Sequence, residues 1–389
     1  MSYFHLNLIL KGKLTVCCLL MLPAIPLNAQ REAKQIGDFK ESISLNEHLR
    51  GTKRTLQYRP DGDEFVCVNG KNRYTRALYG SHSPFRVETS DRPVFAFYNN
   101  GRGGNISFKV ILRDGTELAL DCTGHCESRY SAGKRTYYLT DPSWGKGELR
   151  ISVLALADMD GAIWRFSPSN MPKGAILRWQ HGGATGKRLS RNGDMGVDPA
   201  DCFELPVEAT DLVTGELPLQ KEVYLVRGEV PEDYNVRKLY QQAEAASLAL
   251  ASHLKIETPD PYLNTLGGAL VAAADGIWDG QVWLHGAIGW RMPLSGWRAG
   301  YTGDALGWHD RARTHFDAYA ASQVTDVPNT IPHPVQDSTM NLARSEKRWG
   351  TPQYSNGYIC RNPRRNNQMH HYVEKITACY AVYQNLYGT

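Results

Sequence analysis

The chain has 389 residues, with a hydrophobic fraction of 42% and a charged fraction of 22%, values typical of a folded globular protein rather than a disordered one. This length exceeds the usual size of one hydrophobic core, so we expect two domains of ordinary size. The formal net charge is only +4 and the basic residues are scattered, which argues against a nucleic-acid partner.

The N-terminal segment 1–29 has the pattern of a secretory signal peptide. Lys11 and Lys13 precede an apolar run over residues 14–25, and Ala29 suits a cleavage site. The run is shorter than the roughly 20 apolar residues that a membrane-spanning helix needs. We therefore predict a periplasmic or secreted protein that has no membrane anchor and is cleaved after Ala29.

Six cysteines remain after the predicted cleavage. They are Cys67, Cys122, Cys126, Cys202, Cys360 and Cys379. Export permits disulfides, but the spacing alone does not assign their pairing. Cys122 and Cys126 flank a histidine, as metal ligands often do, but a fourth ligand and a second paired motif are missing. We therefore predict neither a metal nor another cofactor.

Short alternating runs separated by turn dipeptides extend from about residue 55 to 230. In the run 106–112 apolar and polar residues alternate, and Asp114-Gly115 then reverses the chain, which predicts a β-hairpin. Asp61-Gly62 and Asp160-Gly161 stand between similar runs. Since no long helical period intervenes, we predict an antiparallel β-sandwich domain, with bounds 30–230.

The glycine-rich segment 182–188 superficially suggests a phosphate-binding loop. His181 stands where the first glycine of such a loop belongs, and Arg188 replaces the hydroxyl residue that holds magnesium. We predict a glycine-rich β-turn instead. Neither a Gly-x-Ser-x-Gly elbow nor a His-Glu-x-x-His motif occurs, so a serine hydrolase or a zinc protease has no motif to support it.

The hydrophobic period changes to that of helices after Pro231. Apolar residues recur at steps of three and four between Val236 and Leu254, which predicts a linker helix within 231–257. Asp260 and Pro261 then suit the N-cap and first position of a second helix. Its predicted apolar stripe is Leu263, Leu266, Leu270, Val271 and Ala274. Further helices are predicted over 303–324 and 370–386.

Tryptophan is concentrated in one short part of the chain. The five residues concerned are Trp278, Trp283, Trp290, Trp297 and Trp308. Aromatic faces suit the C–H faces of sugar rings, while the interleaved Arg, Asp and His side chains supply directional hydrogen bonds to hydroxyls. Glycines divide the segment into loops, where binding groups concentrate. The pattern favours a sugar pocket, and the alternative is a helical core filled by tryptophan.

Three motifs carry a resemblance to a known family. PDPYLN at 259–264, ADGIW at 274–278 and GWRAGYTGDALGWHDR at 296–311 resemble the opening of six-hairpin glycosidases. They are similar to large exported glycoside-hydrolase-like proteins of bacterial polysaccharide-utilisation systems. The resemblance implies a multi-domain protein, β then α, in which an N-terminal antiparallel β-sandwich and a linker helix precede an α/α toroid over 258–389. Too few residues follow 258 for six hairpins, so we expect an incomplete, truncated toroid.

The resemblance also implies a function, namely inverting hydrolysis of an oligosaccharide derived from a plant or host polysaccharide. Such hydrolysis needs a carboxylic acid and a carboxylate base, for which Asp304 and Asp310 are the local candidates. Asp304 also suits a hydroxyl acceptor or the N-cap of the following helix. The residues expected to bind substrate are Trp278, Trp290, Arg291, Trp297, Arg298, Tyr301, Trp308, His309 and His371.

Two other functions stay open. The catalytic pair of such toroids usually comes from later hairpins, so this chain is expected to contain sugar-contacting residues without the complete pair. A non-catalytic carbohydrate-binding protein is therefore the alternative to an enzyme. A polysaccharide lyase is the further alternative, with Tyr301 or His309 as base and Arg298 neutralising a uronate. Lyases of this architecture place the toroid before the β-sandwich, which counts against that alternative. The expected partner is an oligosaccharide or polysaccharide in every case.

Overall fold

The computed structural model describes residues 57–99, 102–188, 212–231, 233–284 and 302–321. Packing divides the chain into the units Met1–Tyr58 and Arg59–Thr389, and every element named below belongs to the second unit. Its strands are β1 (Arg59–Asp61), β2 (Glu64–Val68), β3 (Arg76–Leu78), β4 (Arg86–Thr89), β5 (Phe95–Asn99), β6 (Arg102–Ile111), β7 (Glu117–Ala119), β8 (His125–Ser131), β9 (Lys134–Thr140), β10 (Glu148–Ala155), β11 (Gly161–Ser169), β12 (Ile176–Arg188), β13 (Val213–Pro218) and β14 (Val223–Gly228). Its helices are α1 (Val236–Ala251), α2 (Pro261–Gly276) and α3 (His309–Ala320).

The strands form two antiparallel sheets. The first sheet has the order β1-β2-β8-β9-β10-β11-β14, and the second has the order β13-β12-β6-β5-β4-β3 with β7 paired to β6. Side chains from both sheets share one hydrophobic core. The predicted antiparallel β-sandwich in the N-terminal part of the chain is therefore confirmed.

The hairpin predicted at Asp114-Gly115 is also confirmed. Gly115 has a φ of 88°, and the Thr116 amide donates a hydrogen bond of 2.9 Å to the Asp114 carboxylate. The turn pairs β6 with β7. Apolar residues of β6 such as Phe108 and Val110 point into the core, as their alternation predicts.

Aromatic rings fill the space between the sheets. Trp164 of β11 is fully buried, and its ring packs edge-on against Phe95 at 5.6 Å and Phe97 at 5.5 Å. Edge-to-face pairs of this kind add about 0.5–1.5 kcal/mol each beyond the burial of their area. The first and second sheets are thus held together mainly by apolar contact at this level of the sandwich.

A buried polar network joins the two sheets at another level. Arg135 of β9 lies 3.5 Å from Asp91 and donates hydrogen bonds to the Ser90 carbonyl and the Ser128 hydroxyl. The Tyr137 hydroxyl donates to the same Ser90 carbonyl at 2.7 Å. Buried charges are tolerated when they are paired and hydrogen-bonded in this way.

The glycine-rich segment 182–188 does not form the predicted β-turn. It continues β12, which pairs with β6 and has a register shift between Gly183 and Arg188. A side chain at Gly104 would lie 3.0 Å from the Gly182 carbonyl, so two backbones approach closely here. Glycine serves this close approach, and the prediction of a turn was wrong because strand pairing is not visible in local sequence.

Both helices predicted after Pro231 form, and the second begins at its predicted N-cap, Asp260. The Asn235 side chain accepts a hydrogen bond from the Lys238 amide at the start of α1. Asp260 accepts one from the Tyr262 amide at the start of α2. Helix α1 buries Leu239, Tyr240 and Ala243 against the first sheet, as its apolar stripe predicts.

The buried face of α2 differs from the predicted stripe. Leu263 and Leu270 are 46% and 47% exposed, whereas small residues face the rest of the protein. A side chain at Gly267 would lie 2.9 Å from the Leu254 carbonyl, and one at Gly268 would lie 3.0 Å from Ala132. Val271 and Ala274 of the predicted stripe are buried as expected, but the prediction was wrong for Leu263 and Leu270, because close backbone approach also decides which face of α2 is buried.

The helix predicted over 303–324 is interrupted. A helical turn at 302–305 ends before Gly307, which has a φ of 68°, and α3 begins at His309. The helix predicted over 370–386 and the signal peptide over 1–29 lie outside the described residues. Within the described ranges no helix has both the length and the hydrophobicity of a membrane-spanning segment.

Glu88 is a buried carboxyl group on β4. Val87 faces the shared core, so Arg86 and Glu88 lie on the opposite face of the strand, and both are buried. Desolvation raises the pKa of Glu88 to about 7, although the nearby Arg86 guanidinium acts in the opposite direction. The folded protein therefore retains this proton at a pH where the unfolded chain has already released it.

We predict that the free energy of unfolding falls between about pH 4.5 and pH 7 and that Glu88→Gln removes this part of the decrease. Below pH 4.5 the carboxyl is protonated in both states, and above pH 7 it is ionised in both, so the slope is confined to this window. The expected loss is on the order of 3 kcal/mol. Urea denaturation at half-unit pH steps measures the free energy of unfolding of the unaltered protein and of Glu88→Gln. The same pH dependence in both proteins between about pH 4.5 and pH 7 would contradict the prediction.

Candidate functional site

Three separate parts of the chain meet at the Asp275 carboxylate. The Nε2 atom of His82, from the β3–β4 loop, lies 3.1 Å from Oδ1, and the Nη1 atom of Arg311, from α3, donates to the same oxygen at 2.7 Å. Asp275 itself lies near the C-terminal end of α2. We call His82, His253, Asp275, Trp308 and Arg311 the Asp275 cluster.

The environment of Asp275 favours its charged form. Its side chain is only 11% exposed, and this desolvation acts against the charge. Hydrogen bonds from His82 and Arg311, together with their charge interactions, outweigh desolvation and hold the pKa of Asp275 below its ordinary value. Asp275 is therefore a hydrogen-bond acceptor rather than a proton donor.

The β3–β4 loop that carries His82 is braced by the β10–β11 turn. The hydroxyls of Ser81 and Ser83 both donate to the Asp160 carboxylate, at 2.7 Å for Ser81. The Phe85 amide donates to the Ser83 hydroxyl at 3.0 Å. Hydrogen bonds on both sides of His82 thus fix the loop that presents its imidazole.

Close packing holds the same loop against α2. A side chain at Gly80 would overlap with the Leu156 backbone, and one at Gly276 would overlap with the Tyr79 ring. Both glycines are therefore required by space and not by backbone conformation. The Tyr79 ring therefore packs directly on the last residue of α2, next to Asp275.

Aromatic rings line the other side of Arg311. Its guanidinium lies 4.3 Å from the centre of the Trp308 ring and 5.8 Å from that of Trp278. The His253 ring stacks on Trp308 at 5.2 Å with an interplanar angle of 25°, and its Nε2 donates to the Leu306 carbonyl. Trp308 and Arg311 stay partly exposed, and the largely buried Asp275 carboxylate lies directly beside the guanidinium.

Trp278 and Trp283 lie in the interior. Trp278 is 4% exposed and Trp283 is fully buried, and their rings pack at 4.7 Å. The Trp283 indole donates to the Ala274 carbonyl, and its backbone amide donates to Nδ1 of the buried His315. For these two tryptophans the placement agrees with the alternative in which indoles fill a core.

The two predicted catalytic carboxyls have different surroundings. Asp304 lies within the turn at 302–305, with its carboxylate 3.8 Å from Nδ1 of the exposed His309. It does not cap α3, whose N-cap residue is Trp308. The Asp310 side chain is 98% exposed and lies 3.7 Å from Arg313. The described residues form no apolar pocket around Asp310 of the kind that keeps a glycosidase acid protonated.

The other predicted substrate-binding residues lie outside the described residues. They are Trp290, Arg291, Trp297, Arg298, Tyr301 and His371. Their roles therefore stay predictions.

Sequence reasoning missed His82, His253 and Asp275 as site residues. Asp275 lies inside the ADGIW motif, near the C-terminal end of a helix. A carboxylate there is unfavourable unless cations compensate it, so its position in the sequence could have indicated a cationic partner. His82 is 193 residues away from Asp275 and has no such signal.

Metal-binding patterns are also missing from the described part of the chain, where three or more His, Cys, Asp or Glu side chains nowhere group around a common centre. Cys122 and Cys126 do not share a bridge, since both are free thiols. Burial raises the pKa of the Cys126 thiol to about 12, which disfavours the thiolate that binds metal.

Comparison with known proteins gives a partial match. Residues 100–229 match the family described as a domain of unknown function, DUF4450. This segment runs from β6 to β14 and excludes the Asp275 cluster. No curated protein matches the chain. Among solved structures it is similar to a bacterial glucoamylase complexed with acarbose, at 8% identity and a TM-score of 0.42. The match covers 67% of this chain and 55% of that chain, so the chain spans about half the length of the glucoamylase.

We predict that Arg311→Met lowers the free energy of unfolding by about 1–3 kcal/mol, because it leaves the largely buried Asp275 carboxylate with one partner fewer. Arg313→Met is the matched control on the same helix, where an exposed pair with Asp310 contributes less than about 0.5 kcal/mol. Urea denaturation at neutral pH measures both, and equal losses in the two variants would show that Arg311 does not anchor the cluster.

Proposed function

We propose that the protein is a glycoside hydrolase-like protein that binds an oligosaccharide derived from a plant or host polysaccharide, and that the Asp275 cluster contacts the sugar. The observation that carries the proposal is the hydrogen bonding of Asp275. Both donors bond Oδ1, and among the described residues none bonds Oδ2. The carboxylate is held in place through Oδ1, and Oδ2 can accept a hydrogen bond from a sugar hydroxyl.

The neighbouring groups complement that oxygen. Arg311 uses Nη1 for Asp275, and no acceptor among the described residues bonds its Nε or Nη2. Adjacent donors on Arg311 and an acceptor on Asp275 match two neighbouring hydroxyls, one accepting and one donating. The partly exposed Trp308 supplies an aromatic surface beside them.

The proposal extends to the whole chain. It comprises an exported protein, periplasmic or secreted, with a β-sandwich over 30–230, a linker helix over 231–257 and the start of an α/α toroid over 258–389. The tryptophans and arginines between 285 and 301 add further sugar contacts in this view. The partner is a saccharide and not a nucleic acid.

A non-catalytic carbohydrate-binding protein is the second candidate, favoured by the surroundings of two carboxylates. Inverting hydrolysis needs one carboxyl that keeps its proton. The hydrogen bonds to Asp275 favour its ionised form, and Asp310 is exposed to solvent. Asp304 stays the proposed catalytic or hydroxyl-accepting residue of the enzyme. Turnover, rather than binding, distinguishes the two candidates.

We predict that the full chain binds at least one class of neutral oligosaccharide and that Asp275→Asn and Arg311→Met each weaken binding at least about tenfold, the effect of losing one charge-assisted hydrogen bond. Isothermal titration calorimetry against gluco-, xylo- and manno-oligosaccharides measures the affinity. Arg313→Met serves as the control and keeps the affinity of the unaltered protein.

Reducing-sugar release over a long incubation separates the enzyme from the binder. If the unaltered protein releases reducing sugar and Asp304→Asn does not, the result supports hydrolysis. If the protein binds the saccharide without releasing sugar, the result supports the second candidate. Absence of binding to every class, or equal binding by the Arg311 and Arg313 variants, would contradict the proposed role of the Asp275 cluster.

A further inference from the structure

A second arginine and tryptophan meet outside the Asp275 cluster, at a place where side chains of the two sheets contact each other. Arg227 lies on β14, the edge strand of the first sheet, and His181 lies on β12 of the second. The Nε and Nη2 atoms of Arg227 both donate to Nδ1 of His181, at 3.1 and 3.0 Å. The Arg227 guanidinium thus connects the first sheet to the second.

The Trp179 indole ring lies beside this guanidinium. The Arg227 guanidinium carbon lies 5.1 Å from the centre of the Trp179 ring. The indole lies directly on the backbone of Gly215 in β13, where a side chain would come within 2.6 Å of the ring. Glycine at 215 therefore keeps the indole in place, and both Trp179 and Arg227 stay partly exposed.

Arg227 has no acid partner among the described residues, unlike Arg178 on the neighbouring sheet and Arg135 on its own sheet. Arg178, one residue before Trp179, pairs with Glu117 and Glu216, and Arg135 pairs with Asp91. No carboxylate in the described ranges pairs with Arg227, and no acceptor there bonds its Nη1. Its two bonded nitrogens share a single ring nitrogen of His181.

Such a cation is electrostatically unsatisfied. Partial burial lowers the pKa of Arg227 below its ordinary value, with Tyr234 acting in the opposite direction. A desolvated charge is unfavourable unless an opposite charge compensates it. A bound anion that reaches the guanidinium would supply this charge and gain a charge-assisted hydrogen bond.

We propose that the edge formed by Trp179, His181, Gly215 and Arg227 is a binding site for the carboxylate of a small acidic ligand, in particular a uronic acid. A single guanidinium matches a monoanion, whereas a phosphate dianion usually recruits several cationic or amide donors. The adjacent indole suits the C–H face of the sugar ring that bears the carboxylate. This site is separate from the Asp275 cluster and does not depend on its proposed role.

Titration of the full chain with glucuronate tests the proposal, with glucose and sodium chloride at matched concentrations as controls. Calorimetry and the thermal midpoint are both recorded, since a ligand that binds only the folded state raises the midpoint with its concentration. We expect glucuronate to bind and to raise the midpoint more than either control. Equal responses to glucuronate, glucose and chloride would overturn the proposal without any variant.

Variants assign the binding to Arg227. Arg227→Gln is expected to weaken glucuronate binding at least about tenfold, and Arg227→Lys by a smaller factor because charge remains while the planar fork is lost. Arg178→Gln, on the neighbouring paired arginine, keeps the original affinity. If Arg227→Gln fails to fold, the Lys variant and the unaltered protein still decide the outcome.

Comparison with the Asp275 cluster separates this proposal from the proposed function. Arg311→Met is expected to leave glucuronate affinity unchanged while it weakens binding of neutral oligosaccharides. Glucuronate binding that is lost in Arg311→Met but kept in Arg227→Gln would place the acidic ligand at the Asp275 cluster and overturn the edge site.

Discussion

The Asp275 carboxylate is the constraint on which the junction of sandwich and helices depends. A negative charge near the C-terminal end of a helix opposes the helix dipole, and this one is also largely withdrawn from water. Arg311 and His82 compensate it, and in doing so they fix α3 and the β3–β4 loop against α2. The same requirement that stabilises this junction leaves a charged oxygen and guanidinium donors beside Trp308, which is why we propose a binding role for this structural contact.

Two arginine and tryptophan pairs in this protein differ in the partner of the guanidinium, and we propose different ligands for them on that ground. Arg311 is neutralised by Asp275, so the combined surface offers donors and an acceptor without net charge, which suits hydroxyl groups. Arg227 bonds His181 instead and keeps its positive charge, which suits a carboxylate. The aromatic neighbour is similar in both places, and the difference lies in the carboxylate that only Arg311 has.

Local patterns predicted much of the fold and little of the site. The Asp114-Gly115 turn and the Asp260 cap are decided by neighbours a few residues apart, and they form as the residue types require. The stripe on α2 was predicted wrongly at Leu263 and Leu270, since glycines let the opposite face approach other backbones. Trp278 was predicted as a sugar contact, yet its ring packs on Trp283, because residue type does not reveal which way an indole points.

What the sequence by itself determined is the antiparallel β character of the N-terminal part, the Asp114-Gly115 turn and the two helices after Pro231, because alternation, turn dipeptides and helical periodicity act over a few residues. It also indicated a tryptophan-rich segment with polar neighbours. Only the tertiary structure decided that His82 meets Asp275 across 193 residues and that Arg227 of one sheet meets His181 of the other. Such contacts depend on how whole sheets and helices pack, and packing is a property of the assembled chain, which no local pattern of residues encodes.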